Sequence, residues 1–248
     1  MKTMISEKLG RLDLCIDIKN VKISYEFYKN MGYEMVEGNL EEGWGVMEIG
    51  NLRLGLYEGM SKYDEFGNKI SLNFRGGKVK EITEEIIDHG YSFYKKFNEG
   101  KKGGGNSSIY DPNGVSLFFD TAPPEIDLLD RVQLNNITKS DLGLCDICFD
   151  VEDLLSTIKF YTDLGLSKID GSEDEGWIIL GQGNLRLSLY QGNGKDLTIN
   201  FRDGNIKAIT QRLKQNGLKF NTENIQEDDG TISSMMVDPD GYLIYFNS

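Results

Sequence analysis

The feature that most constrains this chain is that it is written twice. Residues 50–59, GNLRLGLYEG, return as 183–192, GNLRLSLYQG, with eight of ten positions identical, and both copies follow Glu-Gly-Trp, at Trp44 and Trp177. Upstream, DLCID at 13–17 matches DICFD at 146–150, and EFYKNMGY at 26–33 matches KFYTDLGL at 159–166, all at an offset of 133. Downstream, SLNFRGGKVKEIT at 71–83 matches TINFRDGNIKAIT at 198–210, and YDPNG at 110–114 matches VDPDG at 237–241, now at an offset of 127. A loop shortened by six residues in the second copy accounts for the change. Self-similarity at a fixed period means that one folding unit is used twice. The segment 121–142 has no repeat partner and holds two of the four prolines. It reads as a linker between a first domain, 1–120, and a second, 143–248.

Each copy alternates strand and helix patterns. Leu12–Ile18 alternates like a half-buried strand, and Val21–Met31 places Ile23, Phe27 and Met31 at helical spacing before Gly32. The stretches 33–37, 44–49 and 51–57 alternate again between Gly-containing turns. A second cycle follows, with a strand at Ile70–Arg75, a helix at Val79–Asp88 that Gly90 can end, and strands at 92–96, 106–111 and 115–120. Each repeat thus holds two βαβββ modules.

A duplicated βαβββ unit, with FY-x3-G closing the first helix and DP-x-G before the last strand, resembles the vicinal oxygen chelate superfamily, the glyoxalase/bleomycin-resistance/dioxygenase group. Here the two motifs fall at Phe27-Tyr28…Gly32 and Asp111-Pro112…Gly114, and again at Phe160-Tyr161…Gly165 and Asp238-Pro239…Gly241. The resemblance implies an α+β fold in which four βαβββ modules build mixed sheets curved into concave bowls. It also implies bowls assembled from modules of two domains, so that a tandem chain imitates a dimer with two pseudo-equivalent sites. Fold analogy does not choose among the group's metal-dependent isomerases, lyases and dioxygenases, its thiol transferases and its metal-free drug-binding proteins. Metal-dependent relatives carry His on the first strand, His or Gln on the fifth and Glu on the eighth. In this chain the first position corresponds to Asp13 and Asp146, the second to Ser71 and Thr198, and the third to Phe118 and Tyr245. Two of three ligand positions in each copy therefore lack the expected donor.

Strand alternation separates the two faces of the sheet. The apolar set, such as Leu14, Ile16 and Ile18, belongs to the helix side; the opposite face of the first strand carries Asp13, Cys15 and Asp17, duplicated as Asp146, Cys148 and Asp150. The same rule gives Arg53 and Tyr57 on the fourth strand and Asn73 and Arg75 on the fifth, repeated as Arg186, Tyr190, Asn200 and Arg202. With Trp44, Trp177, Phe118 and Tyr245, these acids, cations and aromatics form the expected lining of the bowls. They carry two compatible readings: Asp–Arg pairs that neutralise buried charge, or polar and aromatic groups converging on a small molecule.

Other motifs point away from chemistry. His89, the one histidine, sits at the expected end of a helix, where a cation complements the dipole. The loop Glu99–Gly105 lacks the spacing of a phosphate loop and reads as a hairpin connection. Asn51 and Asn184, each following Gly, read as turn residues. Cys15 and Cys148 have aspartates beside them, which disfavour a thiolate.

The balance of 27 basic against 40 acidic residues gives a net charge of −13, which repels nucleic acid and anionic lipid. The start of the chain, MKTMISEKLGR, has no apolar stretch, and the three cysteines are an odd number; both fit a cytoplasmic protein with reduced thiols. The leading expectation is a small-molecule-binding protein, such as one sequestering a drug or metabolite, with no cofactor. The alternative is a glyoxalase-like lyase, isomerase or dioxygenase whose divalent metal is held by Asp ligands. A structural or partner-binding role is the third. The chain is expected to act as a monomeric pseudo-dimer or a homodimer.

Overall fold

The computed structural model describes residues 8–122, 137–192 and 197–248. The first repeat runs β1 (Arg11–Ile18), α1 (Val21–Met31), β2 (Glu34–Asn39), β3 (Trp44–Ile49), β4 (Leu52–Glu58), β5 (Ile70–Arg75), α2 (Val79–Asp88), β6 (Lys95–Glu99), β7 (Gly105–Tyr110) and β8 (Ser116–Thr121). The second repeats it as β9 (Leu144–Val151), α3 (Leu154–Asp163), β10 (Ser167–Ser172), β11 (Trp177–Gln182), β12 (Leu185–Gln191), β13 (Thr198–Arg202), α4 (Ile206–Gln215), β14 (Thr222–Gln226), β15 (Ile232–Val237) and β16 (Leu243–Asn247). The expected linker lies largely outside the described residues, at 123–136.

Each repeat builds one eight-stranded mixed sheet, ordered β2-β3-β4-β1-β5-β8-β7-β6 in the first and identically in the second. Helix α1 carries the chain from β1 to the far edge so that β4 returns parallel beside β1, and α2 does the same for β5 and β8. The two modules join through the antiparallel pair β1–β5. Both modules of each sheet therefore come from one repeat, which corrects the expectation of bowls assembled across domains. The link from β5 back to β1 lies within the repeat, so β1 finds its partner without borrowing from the other half.

Alternation fixes the faces as expected. Leu14, Ile16, Leu54 and Leu72 point to the helices and are fully buried, each contributing about 1.5–3 kcal/mol. Helix α1 starts at Asn20, whose Oδ1 accepts from the amides of Lys22 and Ile23, and ends at Gly32 in the left-handed conformation. That conformation is the physical content of the motif glycine, since a side chain there is strained. One strand moved: β6 begins at Lys95, three residues past the expected 92. The preceding residues leave the sheet, placing the Tyr91 ring against Phe160 and its hydroxyl on Asp163 at 2.8 Å.

The two halves are joined by hydrogen bonds that obey a pseudo-twofold exchange. Asn51 Oδ1 accepts from the Cys145 amide and its Nδ2 donates to the Cys145 carbonyl, both at 2.8 Å. Asn184 does the same to Leu12, at 2.9 and 2.8 Å. The two "turn" asparagines thus serve as an extra rung on the first strand of the opposite domain, a role their local sequence does not reveal. The family motifs meet in the same interface. Tyr28 of one FY motif donates to Asp238 of the other repeat's DP turn at 2.9 Å, and Tyr161 donates to Asp111 at 3.0 Å. Ser24 to Asp240 and Asn113 to Thr157 complete the exchange. Burial pushes the Tyr28 and Tyr161 phenols well above their ordinary range, so each stays protonated and donates at neutral pH; burial also pushes the Asp111 and Asp238 carboxyls up, against the bonds they accept.

Replacing Asn51 by Ala strands a buried amide and carbonyl, and should lower the unfolding free energy by about 2–3 kcal/mol in chemical denaturation. Asn184→Ala should cost a similar amount. If either variant unfolds like the parent, the asparagine rungs contribute no stability.

Candidate functional site

Strand register sets which side chains meet on the concave face. In the first sheet Asp13 lies opposite Asn73, Asn73 beside Phe118, and Phe118 opposite Ser108. One strand further out, Arg53 reaches Asp13 with Nε at 2.6 Å, and its Nη1 meets Glu48 at 3.0 Å. Asp13 and Arg53 are 1% and 5% exposed, so this pair is part of the bowl's floor and not of its free lining. Burial opposes charge on Arg53, but the bonds to Asp13 and Glu48 prevail and hold its pKa above the ordinary value. The electrostatic reading of the Asp–Arg face is thus realised in the structure, and it takes Asp13 and Arg53 out of contact with any ligand in the cavity above.

That cavity, of about 350 Å³, lies over the β5–β8 side of the sheet. Of the expected residues, Tyr57, Asn73, Arg75 and Phe118 line it. Its floor adds Cys15, Ser71 and Ser116, and one wall is Tyr94, stacked on Tyr110 at 4.2 Å. Asn73 is 8% exposed, and its Oδ1 is buried with no hydrogen-bond partner. Tyr57 lies flat over Gly55: a Cβ built there would come within 2.6 Å of the ring and 3.0 Å of Cys15 Sγ. On its outer side the ring of Tyr57 is parallel to Trp44, with centroids 6.2 Å apart. Arg75 donates to Glu37 at 3.2 Å.

The six extra residues of the first repeat close this cavity from above. Residues Met60–Tyr63 form a short 3-10 turn, and Met60, Tyr63, Asp64 and Asn68 all face the space. The segment is tied down by Ser61 donating to Asp17 at 2.6 Å and by Tyr110 donating to Asp64 at 3.2 Å. Phe66 packs edge-on against Tyr110. None of these residues entered the sequence-based lining, although the length difference between the copies marked the place.

The second bowl uses the same residues differently. Asp146 is fully buried, accepts from Arg186 Nε at 2.5 Å and the Ser188 hydroxyl at 3.1 Å, and forms an ion pair with Arg202, whose Nε lies 2.7 Å away outside hydrogen-bond geometry. Arg202 also donates to the Tyr190 hydroxyl at 2.6 Å. The contrast has two local causes. Ser188 replaces Gly55 and adds a donor for the aspartate, and Gly181 replaces Glu48 in the row, leaving Arg186 without a second carboxylate there. Tyr245, opposite Met235, directs its hydroxyl to Glu227 at 3.3 Å, and Trp177 Nε1 bonds Glu175 at 3.1 Å. Asn200 keeps the position of Asn73 beside Tyr245. The near-equivalence expected of the two linings is therefore not met. Asp17 and Asp150 leave both bowls and face a larger polar cleft between the domains, of about 820 Å³.

Comparison with known proteins agrees with this architecture. Residues 147–246 match the family model of the Glyoxalase/Bleomycin resistance protein/Dioxygenase superfamily. No curated protein matches the chain by sequence. Among solved structures, the Mn(II)-bound glyoxalase from Novosphingobium aromaticivorans superposes with a TM-score of 0.62 at 15% identity, covering 97% of this chain and 82% of that one. The 2,3-dioxygenase LapB from Pseudomonas sp. KL28 gives 0.61 at 12% identity, over 96% and 90%. Homoprotocatechuate 2,3-dioxygenase from Arthrobacter globiformis gives 0.60 at 15% identity, over 100% and 81%. The family model covers the second repeat, and the fold match covers nearly the whole chain.

The family match thus lies on the second repeat, and the likeness of the whole chain to these structures is one of fold.

Against the metal ligands that the resemblance implies, the question is one of donors. Register puts Asn73 and Asn200, not the expected Ser71 and Thr198, in line with the first-strand aspartates. A metal at Asp13 would have to displace Arg53 and would meet one amide and the hydrocarbon ring of Phe118. At Asp146 it would displace two guanidinium groups. Among the described residues no group of three or more His, Cys, Asp or Glu side chains is placed to hold a metal ion. The donor set in neither bowl fits the metal centre that the superfamily implies.

The thiols are equally unsuited to nucleophilic work. Burial, then the nearby Asp13 charge, pushes Cys15 far above the usual thiol range; burial and Asp146 push Cys148 up to about 12. A raised pKa leaves the protonated form in place through pH 8 and beyond. Folded protein at pH 8 should therefore resist a thiol reagent at Cys15, Cys145 and Cys148 and react fully only after denaturation, as read by thiol titration. Rapid reaction of any one in the folded state would contradict this. The glycine under Tyr57 makes a second prediction. Gly55→Ser, which installs the second repeat's residue, should lift the Tyr57 ring and cost about 1–3 kcal/mol in denaturant unfolding.

Proposed function

We propose that this protein binds a small organic molecule in the bowl of its first domain, without a resident metal. The observation that carries the reading is the roofed cavity of about 350 Å³ in the first bowl, onto which the buried, unpartnered acceptor Asn73 Oδ1 faces. The second bowl keeps an equivalent unpartnered Asn200 Oδ1, but there Arg186, Arg202 and Ser188 all gather on Asp146. A buried carbonyl without a donor costs about 1–3 kcal/mol, which a ligand group can recover. The cavity has the size and mixture of aromatic walls and few polar groups that suit small ligands. Neutral thiols, a saturated aspartate and the lack of a fitting donor set leave binding better supported than catalysis.

Sequestration of a drug or metabolite is consistent with such a site. No helix among the described residues is long and apolar enough to cross a membrane, and the strongly negative charge disfavours nucleic acid. The test is a thermal-shift screen of small aromatic compounds, with hits measured by calorimetry. Phe118→Ala and Asn73→Leu should weaken binding at least several-fold, whereas Tyr245→Phe in the second bowl should leave it unchanged. Stoichiometric retention of manganese, iron or zinc after desalting, lost in Asp13→Asn, would overturn the metal-free reading.

A further inference from the structure

The cavity of the first bowl adjoins a second space of about 470 Å³, and Tyr57, Met60, Tyr63 and Arg75 line both. The two lie side by side as an inner chamber and an outer vestibule. Resting on the proposed function of this bowl, we infer that its ligand is an aromatic organic cation. The ring enters the inner chamber and donates a hydrogen bond to Asn73, and the charged end stays in the vestibule beside Trp44.

The charges of the cleft argue for a cation. Its carboxylates are Glu37, Glu42, Glu58, Asp64 and Asp120, and its cations are Arg75 and Lys95. Arg75, at the junction, is already engaged by Glu37 at 3.2 Å, so an incoming carboxylate would have to compete with a group of its own kind. Low-dielectric walls focus the field of such a lining. The net charge of −13 on the whole chain adds to it with the same sign.

The aromatic surfaces argue for the same ligand. Trp44 and Tyr57 stand parallel at 2°, and Tyr63, 82% exposed, reaches the same space from the inserted loop. Faces of this kind attract a cation, the more strongly the more it is desolvated. At the inner end Asn73 presents an acceptor, so the group that meets it must be an O–H or N–H donor. The second repeat keeps Trp177 and an unpartnered Asn200 Oδ1, but Gln191 replaces Glu58, the loop carrying Tyr63 and Asp64 is shortened, and Tyr190 is held by Arg202.

The test is calorimetry with the full chain and three matched probes: tyramine, phenethylamine and 4-hydroxyphenylacetate. Tyramine should bind roughly tenfold tighter than the carboxylate, equivalent to about 1.4 kcal/mol. It should also bind several-fold tighter than phenethylamine, which lacks the hydroxyl. Asn73→Leu should erase the gap between tyramine and phenethylamine, and Trp44→Leu and Glu42→Gln should weaken both amines without strengthening selection for the hydroxyl. Circular dichroism establishes that each variant is folded, and Phe118→Leu serves where Phe118→Ala is not. Equal or tighter binding of the carboxylate, lost in the Phe118 variant, would overturn the cation assignment and leave the bowl as the binding site. Failure of all three probes to bind would overturn the cation assignment and count against the proposed function as well.

Discussion

Everything in this molecule hangs on hydrogen bonds that each half makes to the other's backbone. The amide and carbonyl of Cys145 at the start of β9 are completed by Asn51, and those of Leu12 at the start of β1 by Asn184. These two strands are the central strands on which both concave faces are built, so the position of Asp13 and Asp146 depends on a residue from the opposite repeat. The Tyr28–Asp238 and Tyr161–Asp111 contacts tie the first helices to the last turns in the same crossed manner. The consequence is a rigid frame around the pseudo-twofold axis, with each bowl's own sheet left free to vary.

On that frame the two bowls have diverged through a few substitutions with clear physical effects. A glycine at 55 allows Tyr57 to lie down and form a wall; a serine at 188 gives Asp146 another donor. With Ser188, Arg186 and Arg202 all directed to Asp146, the second bowl gathers its charges on one carboxylate. The first divides its guanidinium groups, Arg53 to Asp13 and Glu48, Arg75 to Glu37, and keeps space between them. Charges gathered on one carboxylate hold each other in place; an open chamber between separated ion pairs leaves room for a ligand.

Much of this was legible in the sequence because strand alternation and duplication are strong signals. The assignment of Leu14, Ile16 and Ile18 to the core and of Asp13, Cys15 and Asp17 to the other face needed only the period of two. That acids and cations of this face pair was one of two readings, drawn from the cost of burying either alone, while the partners, Arg53 with Asp13, come from the structure. What was not legible depends on relations between strands or between domains. Nothing near Asn51 announces that its partner is Cys145, since the contact exists only after both halves have folded. The fifth-strand position required the β1–β5 register, which places Asn73 rather than Ser71 beside Asp13. The roof over the first bowl was visible only as six residues of extra length; its aromatic contacts, Phe66 on Tyr110 and Tyr94 stacked below, come from the folded loop.

The inserted loop between β4 and β5 has a consequence of another kind. In a dimer of identical subunits any insertion appears twice, related by the symmetry axis, and must be tolerated at both places. A fused pair is free of that bookkeeping by symmetry: one copy can acquire Tyr63 and its neighbours while the other keeps the short connection. Covalent duplication thus turns a structure obliged to be even-handed into one that can specialise, with one lobe exploring new cargo and its twin holding the shape that makes the exploration safe.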